Sequence, residues 1–414
     1  MIALQTAIET GAADDWLAAL YIERERCISL CADFTKHFGA WPEKLFSVPG
    51  RTELGGNHTD HQHGRVLCAA ITRDTLAAVR RRQDGVIRVV SRGVGEAEIS
   101  LARLAPRPEE RHTMAALLRG VAGALAERGY TLGGFDAYLT SNVPIGSGFS
   151  SSAAFSVLLG AVMNELYNGG AASPLTIAKA AQQAERDWYG KPCGLMDQCA
   201  CALGGVSLLD FLDPTDPAAE SLPFDFSEHG FVLAAVKLPD DHADLTADYA
   251  AIPADMRAAA KSCGAEVLRY VNREKWENTA ATLAERVRER AEHFFEENER
   301  VPQMAAALRS ADMEGYRQLM LASGRSSRHK LKNIVPPSKP EARLLEEGLD
   351  LAETLLGERG AWRVHGGGFG GSLLALMPAA DWPAFQTAMD ARFGIGAAQK
   401  LQLRRQGIAC WPEK

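Results

Sequence analysis

From Asp14 to His37 the residues Trp16, Leu17, Leu20, Tyr21, Cys27, Ile28 and Leu30 recur at helical spacing, which predicts one amphipathic helix stopped by Gly39. The rhythm then changes. Residues 46–56, FSVPGRTELGG, read as a short strand entering a glycine-punctuated turn, and 66–82, VLCAAITRDTLAAVRRR, with 86–91, VIRVVS, read as a pair of strands. Residues 135–143, FDAYLTSNV, alternate as another strand, and a Gly/Ser loop leads into the apolar stretch 153–167, a helix. Further helices are expected at 176–190 and 193–203. The Pro/Asp segment 211–223, FLDPTDPAAESLP, is the best linker, with a boundary near residue 215. Beyond it, 266–276, the charged 280s to 290s, 301–310 and 341–357 read as amphipathic helices with solvated polar faces. Residues 362–378, WRVHGGGFGGSLLALMP, read as two strands around a glycine-rich turn.

Both halves are therefore mixed α and β, and 414 residues exceed what one core usually serves. Two domains are expected, 1–215 and 216–414. The net charge of −7 gives no general attraction to phosphate backbones or anionic lipid, so neither nucleic acid nor a membrane is an expected partner. The run Arg80, Arg81, Arg82 reads as a solvated strand edge. The amino terminus lacks a basic and apolar leader pattern and no stretch of eighteen apolar residues follows, so a cytoplasmic location is expected; a monomer is expected as well. Eight cysteines without a CxxC pair read as reduced, mostly buried thiols, and the spacing of Cys193, Cys199 and Cys201 fits no usual zinc site.

Chemistry concentrates in a few segments. In 143–155, VPIGSGFSSSAAF, Gly146 and Gly148 let the backbone approach a ligand, while Ser150, Ser151 and Ser152 sit where a helix begins. Unpaired N–H groups and the positive dipole end at a helix start suit a polyphosphate, so Pro144, Gly146, Ser147, Gly148, Ser150, Ser151 and Ser152 are the nucleotide-binding candidates. The loop is not of the GxxxxGK[ST] type, and no lysine follows its second glycine. Taken alone, it also reads as a Gly/Ser turn that caps the helix. Pro49 to Gly64, PGRTELGGNHTDHQHG, packs one Arg, one Glu, one Asp, three His and four Gly into sixteen residues, a density unlike that of a core.

Together with GGGFGG (Gly366 to Gly371), these segments in this order resemble the GHMP small-molecule kinases and, within them, the galactokinase family. Its corresponding patterns look like PGRxNLxGEHTDYNxG, PxGxGLSSSAA and GGGFGG, and CGLMDQ (Cys193 to Gln198) is similar to that family's CGIMDQ. The resemblance implies an α/β (α+β) fold of two domains, an N-terminal ribosomal-protein-S5-like domain and a C-terminal α+β domain with the active site between them. It implies transfer of the γ-phosphoryl group of ATP, with Mg²⁺, to the C1 hydroxyl of a galactose-type sugar. Arg51 would face the reacting hydroxyl and the phosphoryl group, and Asp197 would accept or polarise the hydroxyl proton. His58 and Asp60 would bind sugar hydroxyls, Tyr249 would close the pocket, and Ser152 and Glu185 would hold Mg²⁺. Phosphoryl transfer needs positioning and charge neutralisation more than covalent chemistry, and such a set supplies both.

The chain departs from the family at Asn57, where galactokinases carry Glu, and at His61, Gln62, His63 and Arg65, changes that are neutral or move charge upward. Loss of a carboxylate beside the sugar C6 would relieve repulsion of an anion, so galacturonate is an alternative acceptor, with Asn57 as the contacting residue. Two readings from other classes are a metallohydrolase built on HTDHQH and a noncatalytic sugar and ATP sensor. The first leaves the phosphate loop unexplained. The second is disfavoured by the intact SSSAA, Arg51 and Asp197.

Overall fold

The computed structural model describes residues 4–144, 148–239 and 245–412. Among them run twelve strands: β1 Lys44–Gly55, β2 Arg65–Arg81, β3 Val86–Ser91, β4 Gly95–Ser100, β5 Phe135–Ser141, β6 Val206–Asp210, β7 Ala218–Leu222, β8 Phe231–Lys237, β9 Ala361–Val364, β10 Ser372–Pro378, β11 Ala398–Lys400 and β12 Ala409–Trp411. One sheet runs β12-β1-β2-β5-β3-β4, with β6 and β7 joined along the first part of β2; the other runs β11-β8-β10-β9.

β2 is long enough to serve two neighbours, pairing Arg65 to Ala69 with β6 and Thr75 to Arg81 with β5. β5 thus separates β2 from β3, and the two strands expected to pair do not touch as a ladder. β1 shifts register between Pro49 and Arg51 and again between Glu53 and Gly55. Proline has no N–H to give a ladder and is tolerated at such bulges, and bulges re-aim side chains. The first motif therefore leaves a regular strand where its chemistry begins.

Helices Met114–Glu127, Ser151–Asn168, Pro174–Gln183 and Met196–Leu203 pack their apolar residues on one face of the first sheet. Their starts are legible: the Thr113 and Ser173 side chains accept from the N–H groups of Ala116 and Thr176, and Pro174 opens its helix. A second core joins Leu54, Leu67 and Phe149 to Leu233 and Leu374 of the other sheet and to Val301 and Met304 of the helix Glu285–Arg309. The first sheet does not end at residue 215, because β7 and β12 both belong to it.

Several local expectations change. The stretch 14–37 is two helices, Asp14–Ala19 and Arg24–Phe38, because the chain turns through a left-handed Tyr21 that buries Leu20 and Ile22 and leaves Tyr21 exposed. Gly39 does end the second helix in the left-handed conformation. Residues 266–276 are no single helix: Leu268–Tyr270 is a 3₁₀ turn, and Asn272 caps a new helix by accepting from the Lys275 N–H. The 280s to 290s and 301–310 merge into the helix Glu285–Arg309 despite Pro302, and its polar side is not all solvated, since Arg290, His293 and Glu297 are buried. Arg80 to Arg82 end a central strand, not an edge; Arg80 donates to the Trp41 carbonyl and Arg82 pairs with Asp136.

Candidate active site

Arg51 leaves β1 between the two register shifts and meets Asp197, the second residue of the helix Met196–Leu203. Its Nε lies 2.7 Å and its Nη2 2.6 Å from Asp197 Oδ1, and its Nη1 donates to the Gly148 carbonyl. Ser150, the left-handed residue that caps the helix Ser151–Asn168, donates its hydroxyl to Asp197 Oδ2. Burial opposes the Asp197 charge, but Arg51 and the Ser150 hydroxyl outweigh it and hold the carboxyl below its usual range. Burial likewise opposes the Arg51 charge and Asp197 restores it. The result is an ionised pair at the start of a helix whose N-terminal dipole favours negative charge.

Gly148 adopts φ +76°, and a Cβ there would stand 3.2 Å from His365 Nδ1. The His365 ring packs against Phe149 at a 45° tilt and bonds Ser372 and Thr52, while burial and the neighbouring Arg51 push its pKa down to about 3. A neutral imidazole thus locks the phosphate loop to β1 and β10. Ser151 and Ser152 form the first turn of the helix, and Pro144 borders the loop's other side. Gly146 and Ser147 lie outside the described residues.

Ser152 Oγ donates to Glu185 Oε2 at 3.2 Å, and Gln198 Nε2 donates to Glu185 Oε1 at 3.0 Å. Glu185 belongs to a π-helical turn, Ala184–Tyr189, and its side chain is only 1% exposed, so it is not the solvated helical glutamate that its position on a polar helix would suggest. A hydroxyl and a carboxylate side by side form the hard oxygen donor set that suits Mg²⁺. Among the described residues no cluster of three His, Cys, Asp or Glu could hold a metal, and the eight cysteines are free thiols.

Asp60 approaches from the far end of the first motif. Its carboxylate rests on the backbone of Gly194, where a Cβ would lie 1.6 Å from Oδ2, and Oδ1 accepts from the His61 N–H. Burial, reinforced by the Asp197 charge, raises the Asp60 pKa to about 6. His58 donates from Nε2 to the Gly367 carbonyl at 2.9 Å, which leaves Nδ1 to accept from His61 Nε2 at 3.3 Å. Burial lowers His58 to about 4 and holds His61 low as well, so this pair is neutral near pH 7. Tyr249 donates to the Gly368 carbonyl at 2.7 Å, and its ring covers Gly367. The first motif, the third motif and Tyr249 are therefore one assembly.

Asn57 is 1% exposed and its amide is fully spent. Nδ2 donates to Gly366 O at 2.6 Å and Glu53 Oε1 at 3.1 Å, while Oδ1 accepts from Asn333 Nδ2 at 2.9 Å and Ser327 Oγ at 3.3 Å. Glu53 is in turn paired with the fully buried Arg363. The sequence reading missed Glu53, although the signal was present: the family pattern has Asn where this chain has Glu53, and Glu where it has Asn57. The carboxylate is transposed, not lost. Burial holds His61 low, and the Arg65 guanidinium is paired with Asp210 at 2.8 Å. His365, Asn333 and Lys191 were also missed, since each is brought in by tertiary contact alone.

A family model described as the N-terminal domain of GHMP kinases matches residues 116–205, the interval that carries the phosphate loop, Glu185 and Asp197. The fold and this site thus define a kinase of the GHMP class. A galactokinase galactose-binding signature matches residues 32–81. The galactokinase of Streptomyces coelicolor is 35% identical over 364 residues, covering 87% of this chain and 91% of that protein. A galactokinase of Actinobacillus pleuropneumoniae is 32% identical over 353 residues, covering 83% and 88%. The chain belongs to the galactokinase family. Its fold is similar to that of Lactococcus lactis galactokinase complexed with galactose, at TM-score 0.80, 23% identity and coverage of 92% and 99%. It is also similar to the L. major mevalonate kinase, at TM-score 0.59 and 16% identity, covering 87% and 95%. No helix among the described residues is long and apolar enough to cross a membrane.

Proposed function

We propose that this protein transfers the γ-phosphoryl group of ATP to the C1 hydroxyl of galactose, giving galactose 1-phosphate and ADP. The observation that carries the reading is the Arg51–Asp197 ion pair, tied by Ser150 to the start of the helix that follows the phosphate loop. The sugar oxygen forms a bond to the γ-phosphorus, the bond from phosphorus to the β,γ-bridging oxygen breaks, and the hydroxyl proton passes to Asp197 as the new bond develops. A carboxylate held ionised by Arg51 is suited to receive that proton late, when the hydroxyl has become acidic. Arg51 offsets charge on the equatorial oxygens, and the helix start supplies N–H groups to the phosphates.

Ser152 and Glu185 would hold Mg²⁺, which supplies charge neutralisation on the phosphate oxygens. Asp60 and His58 would orient sugar hydroxyls beneath Tyr249. In this reading 1–215 carries the phosphate loop and Asp197, and 216–414 supplies Tyr249 and the glycine-rich turn. The Asn57 amide is engaged within the protein by Gly366, Glu53, Asn333 and Ser327, which supports galactose over galacturonate as the acceptor.

ADP release measured across galactose, glucose, mannose and galacturonate, with ³¹P NMR of the product, tests the assignment. Turnover of galactose to an anomeric phosphate is expected. ADP release with galacturonate alone, or with none of the sugars, would overturn it.

A further inference from the structure

We infer that the Lys191 ammonium is a ligand of the nucleotide's polyphosphate, the cation that the loop at 143–155 does not itself carry. The inference rests on the ATP-dependent reading above and adds a residue to that site. Lys191 lies in the short segment between the π-helical turn bearing Glu185 and the helix bearing Asp197. Gly190, at φ +89°, ends the turn, and the Lys191 N–H donates to the Glu185 carbonyl at 2.9 Å. The backbone is therefore fixed beside the buried carboxylate. Its Nζ stands 3.3 Å from Ser152 Oγ and 3.4 Å from Glu185 Oε2, at the first turn of the helix Ser151–Asn168.

Charge balance gives this position its meaning. Asp197, Glu185 and Asp60 converge where a polyanion must enter, and Arg51 is already committed to Asp197 and the Gly148 carbonyl. A second cation is needed there for phosphate to be attracted rather than repelled. Lys191 is 48% exposed while its partner Glu185 is 1% exposed, so the ammonium sits at the border of buried carboxylate and solvent. A flexible four-carbon stem carrying a compact point charge can follow a phosphate oxygen without moving the backbone. No motif pointed to it: CGLMDQ begins two residues later, at Cys193.

Calorimetric titration of ATP and ADP into wild type, Lys191→Met, Lys191→Gln and Lys191→Arg, with EDTA and separately with Mg²⁺, tests the inference. Both neutral variants should bind Mg²⁺-free ATP about tenfold more weakly, the scale of one charge-assisted hydrogen bond. Their dependence of Kd on ionic strength should be shallower, because one screened charge pair is gone. Lys191→Arg should keep most of the affinity, and the Kd for galactose should stay unchanged in all, which verifies the fold. Neutral variants that bind Mg²⁺-free ATP as tightly as wild type, or more tightly, would overturn the inference and leave Lys191 a filler beside Glu185. Failure of the underlying reading looks different: wild type itself would then bind no ATP under either condition.

Discussion

Arg51 and Glu53 leave the same strand two residues apart, yet the polar clusters they enter behave differently. Glu53 is turned inward to Arg363 and Asn57, and the carboxylate, amide and Gly366 carbonyl close on one another with almost no solvent contact. Burial pushes the Glu53 pKa up while Arg363 and Arg51 oppose it. Asp197, which answers Arg51, keeps 28% of its side chain exposed, and Ser152, Glu185 and Lys191 gather beside it. A cluster whose capacity is consumed within the protein fixes geometry. One with open capacity at a helix start can receive a ligand. The two lie so close that residue type alone does not separate them: both belong to the regular stretch between the register shifts of β1, and the partners that distant segments bring to each decide which cluster it joins.

The sharpest way to break this contrast is to neutralise the open cluster. Asp197→Asn should lower kcat on the order of hundredfold or more while leaving ATP affinity and Tm nearly intact, measured by steady-state kinetics and calorimetry. A variant that instead unfolds would show that Asp197 belongs with the structural cluster.

The inward cluster should respond in the opposite sense. Glu53→Gln leaves Arg363 buried without its counter-charge and should cost about 3 kcal/mol in urea denaturation. Asn57→Glu should also destabilise, by setting a second carboxylate beside Glu53 and against the Gly366 carbonyl. The double exchange Glu53→Asn with Asn57→Glu returns the carboxylate to the family's position, and should be more stable than the two single changes sum to, by about 1 kcal/mol. Strict additivity would mean that the two positions are not one unit.

A smaller effect is expected at Gly194. Adding a methyl group there displaces the Asp60 carboxylate, so Gly194→Ala should raise the KM for galactose several-fold with less change in the KM for ATP. Smallest is the pH dependence. Asp60, raised to about 6 by burial and by Asp197, should give kcat/KM for galactose an inflection near that pH that Asp60→Asn lacks. The sign for stability follows: a carboxyl whose folded pKa is raised favours the fold below its ordinary value of 3.8, and that contribution is lost as pH rises through about 6.

Local pattern carried much of the molecule. The chain's own spacing announced the helix after the phosphate loop, the hairpin of β9 and β10 around the glycine turn, and the stop at Gly39, because caps, turns and periodicity act over a few residues. Where pattern failed, a tertiary preference had overridden it: Tyr21 breaks a helix so that Leu20 and Ile22 can be buried, and β5 inserts where β2 and β3 looked adjacent. Motifs named Arg51 and Asp197 from the sequence, but their meeting across 146 positions is a product of sheet topology. The fates of Glu53, Asn57 and Lys191 were settled only in three dimensions. A carboxylate, an amide and an ammonium have the same chemistry wherever they occur; burial and the neighbours brought by distant segments decide whether that chemistry is consumed inside the protein or held open for a ligand.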